Sequence, residues 1–181
     1  MTNEQILQTL HEWREFYSLE GAASATLMGL LFIAVALNAD LILSGHPKTK
    51  IRAEQAFQNY VSVLVMSQML LFPKLPPQAL SVSIVVQCTV MIAIAAIRLV
   101  KTARSKEQEF DRNRPWGRLI PSIIAYGLIV YGGLHLTDLP AFFDIGFGSI
   151  ILLMTATATS WELLVRVAEI RHAMGGVGRK I

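Results

Sequence analysis

One run constrains this chain more than any other feature. Ala22–Leu43 is 22 residues long and carries one charged side chain, Asp40. At 1.5 Å of rise per residue, a helix of that length covers the roughly 30 Å of hydrocarbon in a bilayer. Ala79–Val100, Leu119–Leu136 and Ile145–Val167 have the same character. A fifth segment, Ala53–Phe72, begins with Glu54, Gln55, Gln58 and Asn59 and turns apolar from Val61 onward. Composition agrees: 53% of residues are hydrophobic and 16% charged. An average soluble domain has about 45–50% and 25%.

The spacing predicts an all-α integral membrane protein. Its five-helix bundle has spans at about 22–43, 53–72, 79–100, 119–136 and 145–167. The "PKLPP" segment, residues 73–77, stops the second span and starts the third, because proline breaks a helix interior but suits a first turn. Spans two and three are therefore expected as an antiparallel hairpin. Residues 1–20 read as an amphipathic interfacial helix, with Ile6, Leu10, Trp13 and Tyr17 at helical spacing. It is expected to lie on the outer leaflet or to pack over the mouth of the bundle. The membrane domain is then 21–168, and 169–181 is a cytoplasmic tail. No signal peptide is expected: the N-terminal segment has Glu4, Glu12, Glu15 and Glu20 against Arg14.

Charge fixes the expected threading. With five spans, one side receives Arg14 and Lys74, and the other receives the remaining 14 of the 16 lysines and arginines. By the positive-inside rule the N-terminus is expected to face out and the C-terminus the cytoplasm, as in a multi-pass membrane protein. Trp116 and Trp161 fall at the inner interface of this threading, and Trp13, Tyr17, Phe142 and Phe143 at the outer one.

In the same threading several polar side chains are expected at one depth near the cytoplasmic side. They are Asn38 and Asp40 from the first span, Glu54, Gln58 and Asn59 from the second, and Arg98 from the third. Thr155, Thr159, Glu162 and Arg166 share one face of the fifth. Ionisable groups at that depth turn toward the protein interior and pair, so Asp40–Arg98 and Glu162–Arg166 are the expected ion pairs. The layer reads either as ion pairs that fix helix register or as a hydrated cation path. Gly21, Ala25 and Gly29 follow small-xxx-small spacing, which permits close helix approach. Gln68 and Gln87 read as helix-to-helix hydrogen bonds.

Catalytic patterns are missing from the sequence: it has no HExxH, no GxSxG and no phosphate-binding glycine loop. His135, Asp138 and Asp144 form a candidate metal trio of unspecific spacing. The single cysteine, Cys88, leaves no disulfide framework. No cofactor is expected. The basic segments have few aromatics and no nucleic-acid recognition element, so the lipid bilayer accounts for them.

"GAASATLMGLLFIAVALN" (21–38) and "SWELLVRVAEIRH" (160–172) together resemble a group of small uncharacterised bacterial inner-membrane proteins with five spans. Some of these are labelled modulators of a membrane-anchored ATP-dependent protease. The likeness covers both ends of the chain and carries over no functional residue. The leading expectation is a non-catalytic membrane protein that works by oligomerising or by binding and regulating another membrane protein. The alternatives are a small homo-oligomeric ion channel or transporter, and a membrane enzyme with an outer-face metal site.

Overall fold

A computed structural model describes residues 3–40, 47–73, 75–104, 116–136 and 140–177. Its regular elements are all helical: α1 (Asn3–Glu12), α2 (Arg14–Leu37), α3 (Pro47–Leu71), α4 (Pro77–Arg104), α5 (Trp116–Leu134) and α6 (Pro140–Val177). Prolines open α3, α4 and α6, where the missing N–H has no intrahelical partner to lose. Three helices are long and apolar enough to cross a membrane: Arg14–Leu37, Pro77–Ile97 and Pro140–His172. Leu119–Leu134 is apolar but shorter. α3 falls below that mark because Lys50, Arg52, Glu54, Gln55, Gln58 and Asn59 fill its first half.

Cross-helix contacts fix the directions. Ser24 on α2 reaches the carbonyl of Tyr60 on α3, and Gly21 lies against Ser67, so these two helices are antiparallel. Glu20 meets Ser149 and Tyr17 meets Phe142, so α2 and α6 are parallel. α5 runs against α6, with Gly132 beside Ala141 and Ile145, and Gly148 beside Ala125 and Ile129. α4 runs against α5 through Ser81 and Gly133. The five long helices thus alternate in direction along the chain.

The α5–α6 interface depends on the absence of side chains. A Cβ on Gly148 would stand 2.6 Å from Ile129 Cγ1, and one on Gly132 would stand 2.7 Å from the Ala141 carbonyl. Neither separation is tolerable, so the two backbones approach as only glycine allows. α3 packs chiefly between α2 and α6, while α4 packs chiefly on α5. The expected α3–α4 hairpin is therefore splayed. Gln87 Nε2 to the Ser62 carbonyl (3.0 Å) and Gln58 Nε2 to Met91 Sδ (3.1 Å) bridge it. Gln68 is exposed.

Two core clusters result. The larger lies toward the end of the bundle where α1 sits, and includes Tyr17, Met66, Ile84, Tyr126, Ile129, Phe142 and Ile145. The smaller joins Leu31, Ala56, Tyr60, Ala156 and Leu163. α1 places Ile6 in the larger cluster, at 2% exposure, with Leu10 packed against it. The break between α1 and α2 falls at Trp13, so residues 14–20 begin the long helix instead of ending an interfacial one. Tyr17 and Phe142 are wholly buried core residues and not interfacial aromatics, whereas Phe143 and Trp161 are exposed. At the far end α6 runs on helically to Val177, so most of the segment expected as a tail continues the last helix.

Candidate functional site

The described members of the expected polar layer are spread along the bundle. The Ser24–Tyr60 register puts Asn59 and Tyr60 beside the middle of α2. Asn38 lies 14 residues further along α2, about 21 Å away at helical rise. Asn38 turns its amide back to the carbonyl of Ala34, and Thr155 and Thr159 bond the carbonyls of Ile151 and Thr155, one turn back on their own helix. Glu54 is exposed and meets Lys50 at 4.0 Å, and Asp40 is exposed as well. Glu162 and Arg166 are half-buried. Arg98 has a side chain outside those described, so the Asp40–Arg98 pair lies outside them too.

Of the ten residues, Asn59 alone is a buried hub. Its Nδ2 donates to Ser122 Oγ at 3.0 Å, and its Oδ1 accepts from the Tyr126 hydroxyl at 3.2 Å. That hydroxyl also lies 2.9 Å from Ser62 Oγ, while Ser62 bonds the Gln58 carbonyl. This network ties α3 to α5 in the interior. A second polar path runs from Ser24 through the Tyr60 backbone. The Tyr60 hydroxyl lies 3.3 Å from Thr157 Oγ1 and 3.4 Å from Ser160 Oγ on α6.

A third buried group was not anticipated as a site. Glu20 on α2 is 6% exposed and faces α6, and it is the one charged residue among the buried described residues. Its Oε2 lies 2.6 Å from Ser149 Oγ. Its Oε1 is buried with no hydrogen-bond partner, and so is the hydroxyl of Ser67. Ser67 abuts Gly21, the residue after Glu20: a Cβ on Gly21 would meet Ser67 Cβ at 3.1 Å. Toward the α1 end, Trp13, Phe16, Tyr17 and Phe143 stack edge to face or tilted over the site. Gly146 leaves room for the Trp13 ring, at 3.0 Å from a would-be Cβ. An intact carboxylate charge in such surroundings costs several kcal/mol unless paired, and no lysine or arginine pairs with Glu20 among the described residues.

Sequence reasoning passed over Glu20 because it is the last of four scattered acids before the first apolar segment. A signal was available. Tyr17, Gly21 and Ser24 share a helical face that continues to Leu31, and Glu20 sits on it. Glu12 and Glu15 point away and are exposed.

The small-residue stripe divides. Gly21 packs inside the chain, whereas Ala25 is exposed and Gly29 has nothing within 4 Å of a would-be Cβ. Ala25 and Gly29 therefore do not serve packing within the chain. They lie among the exposed Leu30, Phe32, Ile33 and Leu37 of α2. For the candidate metal trio, His135 is exposed, with Nδ1 3.0 Å from the Tyr131 carbonyl, and Asp144 is half-buried. Asp138 lies outside the described residues. Among the described residues no group of three His, Cys, Asp or Glu side chains is placed to hold a metal ion.

Compared with known proteins, the chain matches no family model, no curated protein and no solved structure.

Proposed function

We propose that the chain is a non-catalytic, five-span protein of a bacterial inner membrane that works by lateral assembly, with a second copy or with another membrane protein. The five crossings are supported by packing. α3 and α5 lie alongside the three apolar helices in alternating direction, so a slab that contains those three also contains these two. Asn59 on α3 and Ser122 on α5 turn inward and bond each other, which suits helices whose outer faces meet lipid. The distribution of lysine and arginine supports N-out, C-in.

The observation that carries the assembly reading is the outward face of α2. Among the described residues Gly29 has nothing within 4 Å of a would-be Cβ and Ala25 is exposed, and exposed large apolar side chains of α2 lie beside them. In lipid, where apolar burial gives no drive between helices, close backbone approach through small residues is a principal source of association. The test is cysteine crosslinking at Ala25→Cys in a Cys88→Ala background, in native membranes. A discrete adduct that Gly29→Leu abolishes is expected. A chain that stays monomeric and free of adducts counts against the reading.

A second reading, a small ion channel or transporter, is favoured by one observation: the buried, unpaired oxygen of Glu20. Flux through reconstituted protein, compared with Glu20→Gln, tests it, and an absence of flux under any gradient removes it.

A further inference from the structure

We propose that Glu20 is an exchangeable proton-binding site inside the bundle, with the Ser149 hydroxyl as the switch that accepts either protonation state. The inference stands apart from lateral assembly and rests on hydrogen-bond geometry. Ser149 Oγ has two oxygen partners within reach, Glu20 Oε2 at 2.6 Å and the Gly146 carbonyl at 2.8 Å. A hydroxyl has one proton to donate and lone pairs to accept with. The Gly146 carbonyl can only accept. When the Ser149 proton goes to Gly146, the short contact to Glu20 requires a proton on the carboxyl, which donates to Ser149. When the Ser149 proton goes to Glu20, Oε2 accepts it, a charged carboxylate is accommodated, and the Gly146 contact is surrendered. Rotation of one hydroxyl thus accommodates both forms without moving a helix. On proton release no covalent bond other than the acid O–H breaks, and the proton leaves to water.

The second observation is the pair of orphaned oxygens. Glu20 Oε1 and Ser67 Oγ are both buried without partners, from two helices that meet at Gly21. Ser67 is 0% exposed and Glu20 6%. Buried polar atoms are almost always satisfied, so the orphaned carboxyl oxygen of Glu20 marks a place where a proton is accommodated. Among the described residues no opposing charge lies beside Glu20: α6 offers Ser149, α2 offers Tyr17 one turn before it, and on α3 Ser67 lies against the adjacent Gly21. Tyr17 bonds the Phe142 carbonyl at 3.3 Å. Arg14 and Glu15 are exposed. With no cation beside it, the carboxyl is matched by a proton.

The test is modification by a hydrophobic carbodiimide, which attacks protonated carboxyls in apolar surroundings, on the full chain in nanodiscs with sites read by mass spectrometry. Glu20 is expected to react at least about tenfold faster than the exposed Glu15, tenfold being what a 1.4 kcal/mol difference in protonation gives. Its labelling is expected to fall as pH rises and to be indifferent to added NaCl at fixed pH. Glu20→Gln abolishes the adduct. If that variant does not fold, Ser149→Ala carries the test: it is expected to move the pH at which labelling is half-lost by about one unit, the scale of one hydrogen bond to a charged group. Labelling of Glu20 that is no faster than Glu15, or that ignores pH, overturns the proposal. So does protection by Na⁺ at fixed pH, which would assign the site to a metal cation, and so does a half-loss pH unmoved in Ser149→Ala.

Discussion

At the scale of single residues, the interior polar groups carry different energetic weight according to whether they share partners. Asn59, Ser122, Tyr126 and Ser62 form one network, with Asn59 and the Tyr126 hydroxyl each bonded twice. Asn59→Ala strands Ser122 and weakens Tyr126, and is expected to cost about 1–3 kcal/mol, the penalty for orphaned buried groups. Tyr126→Phe removes one hydroxyl and is expected to cost about 0.6–2 kcal/mol, the range for hydrogen bonds between membrane helices. Because the two share a bond, the double variant is expected to fall short of the sum, and reversible unfolding in detergent mixtures measures the difference. Strict additivity would mean that the 3.2 Å contact contributes nothing. Asn59 was legible in the sequence as a polar residue within a span. Glu20 was not, because it precedes the first apolar run and burial is decided by helix rotation. Where the first long helix starts sets that rotation, and one break at Trp13 moves Glu20 from an interfacial segment into the bundle.

At the scale of elements, the glycines separate into those that join helices and those that do not. The bundle's largest interface, α5 with α6, rests on Gly132 and Gly148. Gly148→Ala forces a methyl group onto Ile129 and the Ala125 carbonyl, and is expected to destabilise the fold by about 1–3 kcal/mol, as overpacked cores do. Gly127→Ala meets open space and is expected to be neutral or to stabilise by up to about 1 kcal/mol through helix propensity. Thermal unfolding of the two variants side by side checks the contrast, and equal effects would contradict the assigned α5–α6 contact. α1 is tested in the same way. Ile6→Ala is expected to cost about 2–5 kcal/mol if the helix is bound to the core as Ile6 indicates. The sequence made glycine content visible but gave no rotational phase, so it grouped Gly21, Ala25 and Gly29 as one packing stripe. A four-residue step advances about 400° on a helix of 3.6 residues per turn, so such a stripe turns away from its partner within two steps. That drift explains why Gly21 faces Ser67 while Gly29 faces outward.

At the scale of the whole molecule, helical class and the apolar character of α2, α4 and α6 were legible because they depend on length and composition alone. The order in which helices neighbour one another was not. Sequence adjacency favoured an α3–α4 hairpin, yet α3 lies mainly between α2 and α6. The reason is steric: small or polar residues at Gly21, Ser24, Ser67 and Ser149 let those three helices meet closely. If the bundle spans the bilayer an odd number of times, its two ends lie on opposite faces, and their accessibility measures this. His11 and His172 are exposed at opposite ends of the bundle. In a Cys88→Ala background, His11→Cys and His172→Cys are treated separately with a membrane-impermeant maleimide on sealed cells and then on opened membranes. Labelling of His11→Cys on sealed cells, with His172→Cys reached only after opening, is the predicted result. Both positions reacting from the same side would contradict it.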